Sequence, residues 1–226
     1  MKKSLHIPID PRLWLLISPA LPVGGYSYSH GLEHAVAAGW VNNLADARGW
    51  ITGLARDVLP RLDLPVLARV YRCAQDDDEP GIRRWNAVLL ASRESAELQR
   101  EDSEMGEALK RLLTDLVNVD AIKSLPGKSA FATSFALACL NWGIDVADAC
   151  AAYAWVWCEN QVAAAIKLVP LGQTEGQKIL LELVMQVHEL AELALAASDE
   201  DVGMTCPALA IASAAHETQY SRQFRS

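Results

Sequence analysis

The sequence predicts an all-α protein, a single-domain multi-helix bundle with a flexible N-terminal arm and a C-terminal tail. Three observations predict it. Ala and Leu dominate the apolar residues, while β-branched residues are sparse, which favours helix over strand. Apolar residues recur at i+3 and i+4 through most of the chain, and no stretch alternates with period two for a useful length. The 226 residues are 51% hydrophobic, enough for one sizeable core, and no composition shift marks a linker. The expected unit is therefore 1–226, with 1–10 as a loose arm and 216–226 as an interaction tail.

The elements follow in order. Asp10-Pro11 starts a first helix, with Asp10 as cap and Pro11 in the first turn. Leu13, Leu16 and Ile17 form its stripe, and Pro19 stops it. A second short helix runs from Leu32 to Gly39, where glycine suits a C-terminal cap. Asn42 or Asn43 caps a third, carrying Leu44, Ala47, Ile51, Leu54 and Val58 at helical spacing. Pro60 ends it, and Asp63-Leu64-Pro65 restarts a helix to about Ala74. Residues 75–81 form an acidic turn.

A long polar helix is predicted from near Ile82. Trp85, Leu89, Leu90, Leu98 and Met105 supply its buried stripe. Arg93, Glu94, Glu97, Arg100, Glu101 and Glu104 read as solvated. Gly106 is a possible division, after which Leu109, Leu112, Leu113, Leu116 and Val117 continue the pattern. Residues 118–128 connect to an apolar helix, Ser129 to Leu140. Asp145 then caps a helix with Val146, Cys150, Tyr153, Trp157, Ala164 and Leu168. It is apolar on nearly all sides, which predicts a central position. Pro170 ends it. Thr174 caps a helix with Ile179, Leu183, Val187, Leu190 and Ala194. Thr205, Cys206 and Pro207 open a last helix through Ala215.

Charge and cysteines narrow the function classes. The net charge is −8, from 20 basic and 28 acidic residues, which argues against a nucleic-acid binder. Five cysteines, with no C-x-x-C, argue against a disulfide framework or zinc ribbon and suit buried thiols in a reducing cytosol. Lys2 and Lys3 do not make a leader, because Asp10 and Arg12 precede the apolar run and no clean cleavage site follows. Prolines and glycines interrupt the only uncharged stretch long enough to suggest a membrane span.

That stretch is the most distinctive in the chain: Ser18-Pro19-Ala20-Leu21-Pro22-Val23-Gly24-Gly25-Tyr26-Ser27-Tyr28-Ser29-His30-Gly31-Leu32-Glu33-His34. It is irregular, aromatic and uncharged up to Leu32, so it lies against something, either the core or a partner. His30, Glu33 and His34 match H-x-x-E-H, a pattern in which two imidazoles hold zinc and the glutamate acts as base. The alternative is two polar side chains at a helix edge, and Gly31 weakens the zinc geometry. Gly127-Lys128-Ser129 ends like a phosphate loop, but Ile122 stands where the first glycine belongs.

The tail is the second distinctive feature. His216-Glu217-Thr218-Gln219-Tyr220-Ser221-Arg222-Gln223-Phe224-Arg225-Ser226 mixes charge with two aromatics. A frayed end is one reading. An interface anchor fits better, since Tyr and Arg are typical hot-spot residues. Arg222 is also a candidate finger acting in trans on a partner's phosphate.

At both ends the chain resembles the UreF family of urease accessory proteins. The resemblance rests on Ser18 to Ser29 with Gly31-Leu32-Glu33, on Ala38-Gly39-Trp40-Val41, on Lys167-Leu168-Val169-Pro170-Leu171-Gly172-Gln173, and on the tail from His216 to Ser226. It implies an all-helical, non-enzymatic, cytoplasmic homodimer without a cofactor of its own. It further implies binding to UreD and to the GTPase UreG, docking on apo-urease for nickel insertion, and modulation of GTP hydrolysis. The candidate partner-binding residues are Tyr26, Tyr28, Glu33, Glu217, Tyr220, Arg222 and Phe224. His30 and His34 depart from the family pattern, which weighs against a metal role there.

Overall fold

The structure is a computed structural model that describes residues 10–117, 127–203 and 206–226. Among them every regular element is helical. The arm up to residue 9, most of the 118–128 connection, Pro126 and Thr205 lie outside the described residues.

The chain opens with α1 (Leu13–Leu16), a 3-10 turn at Gly25–Ser27, and α2 (Leu32–Ala37). It continues through α3 (Leu44–Asp57), α4 (Asp63–Gln75), α5 (Glu79–Ala91) and α6 (Ala96–Val117). It closes with α7 (Phe131–Asn141), α8 (Val146–Leu168), α9 (Gln173–Val184), α10 (Val187–Ala196) and α11 (Pro207–His216).

Local chemistry sets many of the starts. The Asn43 side chain accepts the N–H of Ala45 and Asp46, Asp78 accepts that of Gly81, and Asp145 that of Ala147. Each occupies an N-terminal donor the helix cannot satisfy itself. The first turn of α9 departs from expectation. It begins at Gln173, and Glu175 reaches back to the N–H of Gly172, so Thr174 lies inside the helix.

Two predicted helices are divided. The expected helix from Ile82 breaks at Ser92–Ser95, not at Gly106. The Ser92 hydroxyl donates to the Val88 carbonyl, and the Ser95 hydroxyl accepts the N–H of Leu98 to start α6. Serines compete with helical hydrogen bonds in this way. The expected helix from Thr174 to Ala194 breaks at Met185–Gln186, where Arg56 of α3 donates to the Gln186 side chain.

The all-round apolar helix α8 is central. It packs on α2, α3, α4, α7, α9 and α10. Phe131, Phe135 and Tyr153 meet at ring-centroid distances of 5.6 to 5.9 Å between α7 and α8. Leu67, Leu89, Leu109 and Leu137 complete the same core at 1% exposure or less. Each such side chain contributes about 1.5–3 kcal/mol. All five cysteines are free, and Cys139, Cys150 and Cys158 are buried.

A buried polar centre ties α4, α6 and the break between α5 and α6 together. Arg93 bonds Asp63 at 2.5 Å and Asp102 at 2.9 Å, although its position read as solvated. Tyr153 donates to Asp63, and the Phe131 N–H donates to Asp102. Burial opposes the Arg93 charge, but Asp102 and Asp63 hold the guanidinium well above its ordinary value. Burial pushes the Asp102 carboxyl up, with Arg93 opposing.

Gly106 has a packing role inside α6. A Cβ there would stand 2.0 Å from the Ser129 carbonyl oxygen, so only glycine lets the start of α7 approach. Gly106→Ala should therefore destabilise the fold by roughly 1–3 kcal/mol. Thermal unfolding followed by circular dichroism checks this, and an unchanged midpoint would contradict the close approach.

Candidate functional site

The two distinctive segments of the sequence meet. The tail folds back across α2 and α6, so that Phe224 and Ser226 are buried. Its path is set by backbone bonds. Arg225 donates its N–H to the Ser27 carbonyl, and Ser29 donates both its N–H and its hydroxyl to the Ser226 carbonyl, at 2.7 and 2.5 Å. The 18–34 segment therefore lies against both the core and the tail.

Glu33 is the hub. One oxygen accepts the N–H of Gln223 at 2.7 Å, and the other accepts that of Phe224 at 2.8 Å. The second oxygen also meets His216 Nε2 at 3.1 Å, and the opposite ring nitrogen of His216 meets Glu97 at 2.6 Å. A carboxylate thus stands at each ring nitrogen of His216. Arg222 completes the cluster at 2.7 Å from Glu97. Glu33 and Glu97 thus hold His216 and Arg222 in one largely buried cluster.

The neighbouring turns of α6 extend the clasp. Glu101 accepts the Ser226 hydroxyl at 2.5 Å and contacts His30 Nδ1 at 3.3 Å. Glu104 accepts from Tyr28 at 2.6 Å and from Arg225 at 3.2 Å. At the start of α6, Glu217 accepts the N–H groups of Ala96 and Glu97, at 2.8 and 3.3 Å. A carboxylate is favoured at that end of a helix. A cavity of about 40 Å³ lies between the clasp and the Arg93 centre, bordered by Tyr28, His30, Glu101, Asp63 and Arg93.

The predicted partner-binding residues divide by exposure. Tyr28, Glu33 and Phe224 are buried and spent inside the protein, the Phe224 ring lying 5.4 Å under the Lys167 ammonium. Glu217 and Arg222 are partly committed to α6. Tyr26 and Tyr220 stand in solvent at 68% and 105% exposure. Tyr26 borders a shallow pocket with Lys167, Gln223 and Arg225.

The H-x-x-E-H residues have separate partners. His30, at φ +53°, precedes α2 and packs edge-on against Trp157. His34 packs against Trp40, and Glu33 holds the tail. Gly31 separates His30 from the helix. Its φ of +79° favours glycine, and a Cβ there would stand 3.3 Å from Ala212 and Leu209 of α11, a tight contact. Among the described residues no group of three or more His, Cys, Asp or Glu is placed to hold a metal ion.

Sequence reasoning missed Glu97, Glu101, Glu104 and His216. The glutamates read as solvated, yet Glu97 is only 5% exposed. Their spacing was the available signal, since positions 97, 101 and 104 share one helical face.

Two outcomes follow from this geometry. Glu33→Ala leaves two backbone donors and His216 without their acceptor, so stability should fall by roughly 3–5 kcal/mol in urea titration, as for one partner of a buried pair. A loss below about 1 kcal/mol would mean the tail is held by other contacts. The second concerns pH. Burial, then the bond to Glu104, pushes the Tyr28 phenol up to about 12. An unfolded tyrosine titrates near about 10. The Tyr28 contribution is thus intact below about pH 10 and is lost as pH rises toward about 12. Tyr28→Phe should flatten that part of the alkaline decline in urea titrations across this range.

Known proteins resemble this chain along nearly its whole length. A family model described as UreF matches residues 41–184. A protein of Alkalilimnicola ehrlichii named urease accessory protein UreF is 50% identical over 216 residues, covering 95% of each chain. The namesake from Teredinibacter turnerae is 46% identical, covering 95% of this chain and 97% of its own. That from Chromohalobacter salexigens is 43% identical, covering 99% and 97%.

Proposed function

The chain belongs to the UreF family of urease accessory proteins, and on that premise we propose that it acts as a non-enzymatic adaptor in urease maturation. In this reading it joins UreD and the GTPase UreG in a cytoplasmic complex on apo-urease, through which nickel passes as cargo. It works as a homodimer and modulates UreG's GTP hydrolysis. Among the described residues no helix is long and apolar enough to cross a membrane.

The observation that carries the adaptor reading is the contrast within the clasp. Its carboxylates are consumed in holding chain segments together, so they are not free to act as acid or base on a substrate. The clasp instead fixes two segments that project Tyr26 and Tyr220 into solvent. An aromatic held on a rigid support gives contact area at small entropic cost, the usual property of an interface anchor. Tyr28, Glu33 and Phe224 act beneath them by fixing the backbone that presents them. Arg222, still 40% exposed while paired with Glu97, contributes its free edge.

The test is co-purification of the full chain with UreD and UreG. The double variant Tyr26→Ala/Tyr220→Ala should bind at least roughly ten-fold more weakly, with an unchanged thermal midpoint. Undiminished assembly would remove these tyrosines from the interface. Arg222→Ala separates two roles. Lost binding marks an anchor, whereas retained binding with reduced GTP hydrolysis marks a group acting on the nucleotide.

A further inference from the structure

A cleft of about 590 Å³ runs beside the clasp, between α6 and the Pro22–Gly24 turn. Its floor is one face of α6, residues Arg100, Ser103, Glu104, Glu107, Ala108 and Arg111. These recur at i+3 and i+4 over three turns, as a single helical face does. Exposed Pro22 supplies apolar surface on the far side, and Lys128 and Arg225 add two more cations.

The acids in this cleft are already answered. Glu104 accepts from Tyr28 and Arg225, and Glu107 accepts the N–H of Ser129 at 2.8 Å and pairs with Lys110 at 3.7 Å. Apart from Arg225, the cations are not. Arg100, Arg111 and Lys128 are exposed and have no carboxylate partner among the described residues. On a chain of net charge −8, three unanswered cations lining one cleft form a local reversal of sign.

We propose that this cleft is a docking groove for an extended acidic segment of a partner protein, its carboxylates answering Arg100 and Arg111 and its apolar side chains covering Pro22. Spacing decides for a segment and against a single phosphate. Arg100 and Arg111 lie three turns apart, about 16 Å at 1.5 Å per residue, too far to close on one tetrahedral anion. An extended chain covers that distance in about five residues. The occupant therefore carries two carboxylates four positions apart, an even spacing that keeps both on the same face of an extended chain. Arg225 lines the groove only because the tail is clasped, so docking is coupled to the closed tail. The groove does not depend on which accessory proteins the chain meets.

Fluorescence anisotropy on the full chain tests this. The probe is a labelled ten-residue peptide with Glu at two positions four apart and Val or Leu between them. Its control carries Gln in place of Glu. The acidic peptide should bind at least roughly ten-fold more tightly than the control, and more weakly as salt rises. R100Q/R111Q/K128Q should lose that preference with an unchanged circular-dichroism midpoint, because all three side chains are exposed. The reversed variant R100E/R111E should instead prefer the same peptide with Lys in place of Glu. Equal affinity for the acidic and neutral peptides overturns the proposal. So does a preference that survives in R100Q/R111Q/K128Q, or displacement of the peptide by inorganic phosphate at an ionic strength where chloride leaves it bound.

Discussion

A carboxylate buried at the first turn of a short helix needs donors from outside that helix, and Glu33 takes them from the far end of the chain. The N–H groups of Gln223 and Phe224 approach it at 2.7 and 2.8 Å, and His216 approaches from the other side. An unpaired buried charge is costly enough to dictate where neighbouring backbone must go. Once Glu33 is placed, the tail runs along α6, Phe224 enters the core, and the Ser18–Ser29 stretch gains partners for backbone groups that no regular element supplies. The irregular segment is ordered because something specific covers it.

The same logic recurs at the Arg93 centre. Arg93 stands in a break between two helices, where its side chain can turn inward, and Asp63 and Asp102 meet it there. Both centres bind elements distant in sequence through groups that leave few alternatives. They sit on either side of one small cavity, and α6 contributes to both. The protein thus carries its ionic chemistry as internal fastening, and its outward chemistry as exposed tyrosines and a cationic cleft.

That division suits an adaptor of the urease maturation machinery. Fastened segments keep their shape when a partner approaches, so less ordering entropy opposes binding. Interfaces of this kind draw on aromatic anchors and charge complementarity together. The buried members of the clasp fix the backbone around them, while Tyr26 and Tyr220 stand in solvent.

Much of the fold was legible because it depends on local rules. Caps at Asn43 and Asp145, the prolines that end helices, and the apolar surround of α8 all act within a few residues of themselves. Family identity was legible too, in the Ser18–Glu33 stretch and the tail. The clasp was not. Glu97 and Arg93 look solvated in a list of residues, because charge on a helix is usually exposed. Only the fold brings His216 and Arg222 to Glu97, and the tail backbone to Glu33. The division of the helix at Ser92–Ser95 was hidden for a similar reason, since serine side chains bond the backbone on both sides of it. The sequence by itself determined which segments are helical and which two are unusual. The tertiary structure alone decided that those two are joined, because a buried charge is satisfied by whatever donors the fold delivers, at any distance along the chain.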